Sequence, residues 1–370
     1  MAGAAAETRP VVCIGPMPPP THGAALMMAA VVSRISTSLR CEVINLSPGT
    51  LRRSIAYHVA RLVRHLSAAR RLMTFRRHEA VVYLSVPGGL GQVYLLLLSP
   101  LIRHAASSVF LHHHNYSYVL RPRIMTHLLF RLLDTEATHI TLCERMTADL
   151  RAAFPRVENV ICVSNTWSLE DNVLTSPEPS RDPRLSITHM SNLSIDKGLS
   201  RAVNIFRRIS EQFDVTLHLA GPFADADAKK VVDAACREFR EHVRYWGPVH
   251  GAEKTELLQR TDVFLFPSSY VNEAAPLVVD EALGAGALVV CSPVGCLREL
   301  RRKGSGVEVT DNGGEDALFR ALVAALSACE TDRSLVAHEA RALFKERRDN
   351  AIIGLERLLS TMYSKCAELR

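Results

Sequence analysis

Glu273 and Glu281 stand eight positions apart in the run S-S-Y-V-N-E-A-A-P-L-V-V-D-E, which follows the apolar segment Asp262–Pro267. Pro276 lies between them, and proline fits best in the first turn of a helix, where its missing N–H is an unpaired donor anyway. That puts Glu273 in the loop just ahead of a helix and Glu281 about a turn and a half inside it. The free N–H groups of Ala275, Leu277 and Val278 would then point past Glu273, a place for an anion and above all for a phosphate. The same pair also reads as a loop glutamate and a helix glutamate on the surface, where charged residues mostly lie.

Three further segments fall at the ends of expected strands. In M-S-N-L-S-I-D-K-G (190–198), Lys197 precedes a helix whose N-terminus favours negative charge. A lysine facing a cleft there would stabilise a departing diphosphate as a point charge; otherwise it is a solvated lysine at a helix start. In G-P-M-P-P-P-T-H-G-A-A (15–25), Gly23 opens a helix and would let a ligand approach backbone N–H groups, with His22 beside it. No G-x-G-x-x-G follows the first strand, which disfavours nicotinamide binding. In H-H-H-N (112–115), strand alternation puts His112 and His114 on one face and His113 on the other. Zinc is the alternative use of these histidines. No Cys or carboxylate stands at ligand spacing, so no metal is expected and contact with a sugar is preferred for His112, His113, His114 and Asn115. Asp225 and Asp227 form an acidic D-x-D, but N-capping and first-turn charge explain them.

These residues need elements to hold them. Strands are expected at 10–15, 41–46, 80–85, 108–112, 139–142 and 160–163, with helices near 24–37, 51–76, 91–103, 121–134 and 144–153 between them. This alternation predicts a parallel sheet covered on both faces. The segment 175–184, T-S-P-E-P-S-R-D-P-R, reads as a linker. The pattern then restarts with strands at 185–189, 215–220, 243–246, 263–266 and 288–291, and only helical periodicity from 332 to the end. The expected fold is α/β, two doubly wound Rossmann-like domains facing a central cleft where ligands bind. Residues 1–174 form the first and 185–345 the second.

At 370 residues, 48% hydrophobic and 22% charged, the chain is a globular protein long enough for two cores. The nine cysteines are scattered with no C-x-x-C pair, which suggests buried thiols in a reducing compartment. The first ten residues lack the basic start and apolar run of a signal peptide, and the longest apolar run, 93–102, is about half a membrane span. A cytoplasmic location is expected, with peripheral attachment to the inner face of the cell membrane as an extension of it. The net charge of +6 is concentrated: residues 51–78 carry eight arginines and no acid. Ile55, Val59, Leu62, Val63, Leu66 and Leu72 recur among them at helical spacing. The helix reads either as a binder of anionic membrane or as an outer helix whose apolar stripe packs on the sheet. Nucleic acid is not expected as a partner, because aromatic interleaving and recognition motifs are missing.

S-N-L-S-I-D-K-G, L-A-G-P-F, Y-W-G-P-V-H-G-A-E-K and D-V-F-L-F-P-S-S-Y-V-N-E-A-A-P-L-V-V-D-E-A-L-G-A-G occur in that order. Together they resemble the E-x7-E retaining glycosyltransferases of the GT-B fold, the large family-4 group. The resemblance spans nearly the whole chain and is densest from Ser186 to Glu299. It implies that Glu273 contacts the donor sugar's hydroxyls, Glu281 the ribose, and Lys197 the diphosphate. It also implies that Gly23 is the glycine of the first loop, that one of His112–His114 is the histidine after the fourth strand, with His114 favoured because Asn115 follows it, and that 346–370 is a helix crossing back to the first domain. The donor site then includes Asn192, Ala275, Pro276 and Leu277. Two departures stand out: Asn192 occupies a position where the family often has an arginine, and Ala274-Ala275 replaces a glycine-aromatic pair. The implied activity is retaining, metal-independent transfer of a hexose from a nucleoside diphosphate sugar to a glycan or lipid-linked acceptor, as in polysaccharide synthesis, with no cofactor. A nucleotide-sugar epimerase or hydrolase, or a non-catalytic sugar-binding protein, is the alternative.

Overall fold

A computed structural model describes residues 8–20, 23–50, 55–133, 136–169, 184–300, 306–310 and 314–368. The chain divides into two compact units, Met1–Ser168 with Asn350–Arg370, and Leu169–Asp349. Residues 175–183 of the expected linker, Arg52, Arg53 and His22 lie outside the described residues.

Unit 1 is built on six parallel strands, β1 (Val11–Gly15), β2 (Cys41–Asn45), β3 (Ala80–Val86), β4 (Ala106–His113), β5 (Thr138–Thr141) and β6 (Val160–Cys162), in the order β2-β1-β3-β4-β5-β6. β1 and β3 are buried along their whole length, as central strands of a helix-covered parallel sheet must be. The crossovers include α1 (Gly23–Ser36), α2 (Ile55–Leu72), α3 (Gly91–Ala105), α4 (Ser117–Leu120), α5 (Ile124–Leu133) and α6 (Glu144–Ala153). The core joins Cys13, Met28, Val31, Tyr83 and Phe110 to Leu355, Leu358, Met362 and Cys366 from the end of the chain. The Arg9 N–H donates to the Cys366 carbonyl at 3.1 Å.

Unit 2 holds β7 (Leu185–Met190), β8 (Val215–Ala220), β9 (Val243–Gly247), β10 (Val263–Phe266), β11 (Leu288–Cys291) and β12 (Val307–Val309), in the order β12-β11-β10-β7-β8-β9. Counted within the unit, this is the 3-2-1-4-5-6 order of dinucleotide-binding sheets, with its switch point between β7 and β10. The helices are α7 (Leu199–Ile209), α8 (Ala226–Phe239), α9 (Gly251–Gln259), α10 (Leu277–Ala285) and α11 (Glu315–Ala367). α11 is kinked at Asp332, whose backbone leaves helical geometry. Two clusters of buried side chains, one on Ile187, Leu217 and Phe206 and the other on Phe264, Phe266 and Phe344, form its core.

The amphipathic pattern of α2 turned out differently from one of its two readings. Its inward line is Tyr57, Arg61, His65, Ala68 and Leu72, with His65, Ala68 and Leu72 buried. Ile55, Val59, Leu62, Val63 and Leu66 are 50–85% exposed. The apolar residues therefore do not pack on the sheet, apart from Leu72. The two sets lie on opposite faces, and the face at spacing 57, 61, 65, 68, 72 is the one the strands cover.

Candidate functional site

The switch point of unit 2 brings Lys197 and Glu273 together. Lys197 ends the loop after β7, Glu273 lies in the loop after β10, and Lys197 Nζ donates to Glu273 Oε2 in an ion pair. Glu273 is only 9% exposed. Lys197 Nζ also lies 4.7 Å from the centre of the Tyr270 ring. The ion pair holds the two side chains in a fixed mutual geometry.

Two glycines make this approach sterically feasible. Gly198 caps α7 at φ +90°, and a Cβ there would lie 2.2 Å from the Pro267 carbonyl oxygen. Gly295 adopts φ +52°, and its Cβ would lie 2.5 Å from the Glu273 carbonyl oxygen. The loops after β7 and β11 thus press on the β10 loop with no room for a side chain. The loops are also tied together where the Ser269 N–H donates to the Asp196 carbonyl at 2.9 Å. Behind the pair, His189 is fully buried and donates from Nδ1 to the Leu265 carbonyl at 3.0 Å. Burial pulls its pKa down to about 4, with Lys197 adding to that effect.

α10 holds the second glutamate. Pro276 is its N-cap, one position earlier than expected, and Glu281 is the fifth residue of the helix. The Leu277 and Val278 amides have no bonding partner among the described residues, as the first donors of a helix must. Lys254, from α9, lies 2.6 Å from Oε1 and 2.5 Å from Oε2 of Glu281. The next residue, Asp280, accepts from Arg347 Nε at 2.7 Å, which anchors α10 to α11. Asn192 is exposed in the loop after β7. Asp225 caps α8 by accepting the Ala228 N–H at 2.8 Å, and Asp227 pairs with Lys230 at 2.8 Å.

In unit 1 the three histidines separate as alternation requires. The rings of His112 and His114 lie 3.9 Å apart on one face, while His113 stacks on His139 at 5.1 Å on the other. Burial removes His112 and His113 from the surface, at 1% and 0% exposed. His112 Nδ1 bonds the Tyr83 hydroxyl. His113 lies between the Tyr118 hydroxyl at 2.8 Å and His139 Nδ1 at 2.9 Å. The direct sugar contact expected of these two is therefore withdrawn: their ring nitrogens are used inside the sheet or enclosed by it. His114 is half-buried just past the strand. Asn115 Oδ1 accepts the Ser117 N–H at 2.9 Å and its hydroxyl at 2.6 Å, so it sets the start of α4. Gly23 is exposed at the start of α1, and a Cβ there meets nothing within 4 Å. Packing among the described residues does not require a glycine at that position.

Residues 184–328 match the family model described as Glycosyl transferases group 1. The chain is 29% identical over 160 residues to a phosphatidyl-myo-inositol mannosyltransferase of Mycobacterium leprae (strain TN), covering 42% of this chain and 41% of that protein. The chain thus spans about two fifths of this relative's length. Among solved structures, Anabaena HepE in complex with UDP is 17% identical, with a TM-score of 0.72 over 96% of this chain and 100% of its own. Sucrose-phosphate synthase of Thermosynechococcus elongatus is 12% identical, with a TM-score of 0.72 over 96% of this chain and 99% of its own. The fold is GT-B: two Rossmann-like units in one chain.

Within the matched segment, Lys254 is the residue that sequence reasoning missed. It stands in the run Y-W-G-P-V-H-G-A-E-K, but 27 positions separate it from Glu281 and no local pattern links them. Among the described residues no cluster of three or more His, Cys, Asp or Glu is arranged to hold a metal ion. No described helix is long and apolar enough to cross a membrane.

Proposed function

We propose that the protein is a retaining, metal-independent hexosyltransferase that moves a hexose from a nucleoside diphosphate sugar to a glycan or lipid-linked acceptor in polysaccharide or glycoconjugate synthesis. The observation that carries this reading is the Lys197–Glu273 pair at the switch point of the second sheet. In this reading the donor's diphosphate accepts from Lys197 Nζ and from the Leu277 and Val278 amides at the start of α10. Lys197 is thereby drawn from Glu273, whose carboxylate is released to accept the donor sugar's hydroxyls. Glu281, oriented by Lys254, accepts from the ribose. As the bond to the diphosphate breaks, positive charge develops on the sugar and negative charge on the leaving group. Lys197 and the helix amides stabilise the latter where it forms. Ala275 and Pro276 shape the donor loop, and Asn192 lies at its rim.

Purified protein incubated with UDP-, GDP- and ADP-sugars and a glycan acceptor should transfer sugar. Lys197→Ala should lower kcat roughly a hundredfold or more, the cost of losing one pre-positioned donor to a developing anion. Added chelator should leave the rate unchanged. Free sugar or an epimer as the product in the acceptor's presence, or an unaffected kcat in the folded variant, would refute the reading.

The acceptor side of the proposal includes peripheral attachment to the inner face of the cell membrane through α2. Its outward residues are apolar, Arg64, Arg70, Arg71, Arg76 and Arg77 are exposed on it or just past it, and residues 55–78 contain no acid. Such a surface suits an anionic lipid leaflet. Anionic vesicles should co-sediment the protein at low salt and release it at high salt, and Leu62→Glu should weaken binding at both. Equal binding to neutral vesicles would rule out the electrostatic part.

A further inference from the structure

A cavity of about 170 Å3 lies in unit 1, at the carboxyl ends of β1 and β3. These strands are neighbours, and the chain leaves them toward opposite edges of the sheet, so this is the sheet's switch point. Its walls include Pro16, Leu46 and Leu95, and its polar side chains are Thr50, Ser85 and, from the inward line of α2, Tyr57, Arg61 and His65.

Arg61 is held there by its surroundings. Its guanidinium lies 4.7 Å from the centre of the Tyr94 ring and 3.5 Å from the Tyr57 hydroxyl. Gly91 leaves room for it: a Cβ at that position would lie 3.0 Å from an Arg61 terminal nitrogen. No carboxylate pairs with Arg61 among the described residues, whereas Arg71 on the same helix pairs with Glu42. A half-buried cation without a counter-ion is costly, and an anionic ligand removes the cost. His65 contributes in the opposite sense. Its Nδ1 lies 2.7 Å from the Arg61 carbonyl, which can only accept, so Nδ1 carries the proton and the other ring nitrogen is an acceptor. A guanidinium, a phenol and an imidazole acceptor together suit a phosphate ester that still carries a proton. The apolar walls suit the carbons attached to it. Roughly five or six water volumes fill the space, enough for one phosphate and a few carbons.

Resting on the glycosyltransferase reading, we infer that this cavity receives the phosphate and first carbons of a lipid-linked acceptor, with Arg61 as its anion-binding residue. The acceptor class is then a phosphate-bearing amphiphile.

The test is calorimetric titration of the full chain with octyl phosphate below its micellar concentration, with octanol and inorganic phosphate as partial probes. The protein should bind octyl phosphate at least tenfold more tightly than either partial probe. Arg61→Gln should weaken octyl phosphate roughly tenfold or more, as expected for losing a hydrogen bond to a charged group. Arg61→Lys, which keeps the charge but loses the fork, should fall between. UDP binding should be unchanged in both variants, which also reports that they are folded. No octyl phosphate binding by the wild type, equal affinity in Arg61→Gln, or inorganic phosphate binding as tightly as the amphiphile would each overturn the inference. Failure of the wild type to bind UDP would instead count against the glycosyltransferase reading and leave the octyl phosphate result standing.

Discussion

At the scale of residues, the second sheet offers two lysine–glutamate pairs with different consequences. Lys197 and Glu273 must separate for a donor to bind in the proposed way, so their pairing is a resting arrangement. Lys254 touches both oxygens of Glu281 and can stay in place, because each carboxylate oxygen has a further lone pair for a ribose hydroxyl. Lys254→Ala should therefore raise the KM for the donor about tenfold while changing kcat little, since the ribose is bound equally in ground and transition states. Lys254→Arg should recover much of the loss. Steady-state kinetics on both variants decides it; a kcat loss as large as that of Lys197→Ala would move Lys254 from positioning the ribose contact to stabilising the leaving group. The placement of Lys197, Glu273 and Glu281 was legible in the sequence because each stands near a strand end or helix start, whereas the roles proposed for them come from the resemblance. Lys254 was not, because its partner is distant in sequence and only the packing of α9 on α10 brings them together. His112 and His113 misled for a related reason. Their position at a strand end suggested a site, but their neighbours Tyr83, Tyr118 and His139 come from elsewhere in the chain and enclose them.

At the scale of elements, periodicity located nearly every strand and helix, and the interruptions explain the rest. β12 was not expected, since it is three residues, V-E-V, with a glycine and a charge beside it and no length to show alternation. α2 was expected as a helix, but which of its faces is inward could not be read from hydrophobicity, because the inward line is Tyr57, Arg61 and His65 and the apolar residues face out. Periodicity showed the last part of α11 as helix only, and its return to the first domain was expected from the resemblance; its membership of unit 1 follows from what it buries. Leu355, Leu358, Met362 and Cys366 pack with Cys13, Val31 and Tyr83, and the backbone passes so close to β6 that a Cβ on Gly354 would lie 2.4 Å from the Cys162 carbonyl oxygen. Leu358 is 1% exposed. Leu358→Ala should destabilise unit 1 by about 2–5 kcal/mol, as for other buried leucines, and deletion of 350–370 should do so more severely. Denaturant unfolding read from unit 1 measures both; an unshifted midpoint for Leu358→Ala would show that this stretch does not carry the core of unit 1.

At the scale of the whole molecule, the two units differ in how many neutral histidines they bury, and that difference predicts which fails first in acid. Unit 1 holds His112, His113 and His139, all with pKa values lowered chiefly by burial, His139 to about 3. In unit 2 the comparable residue is His189, at about 4 for the same first reason. A histidine whose folded pKa lies below its unfolded value near 6.5 takes up its proton more readily in the unfolded chain. Its contribution to stability is therefore complete above pH 6.5 and is lost progressively as pH falls toward the folded value. Between neutral pH and pH 5, His139 and His189 should each withdraw ~2 kcal/mol. His112 and His113 add to the loss in unit 1 only. The chain has two tryptophans, Trp167 in unit 1 and Trp246 in unit 2. Fluorescence of Trp246→Phe then follows unit 1, and that of Trp167→Phe follows unit 2. Urea midpoints measured at pH 7.5 and 5.0 should fall more for the first variant than for the second. His189→Asn, which keeps a side-chain N–H near the Leu265 carbonyl, should flatten the pH response of unit 2 alone. Equal shifts in the two tryptophan variants would mean that burial of these imidazoles does not govern acid stability.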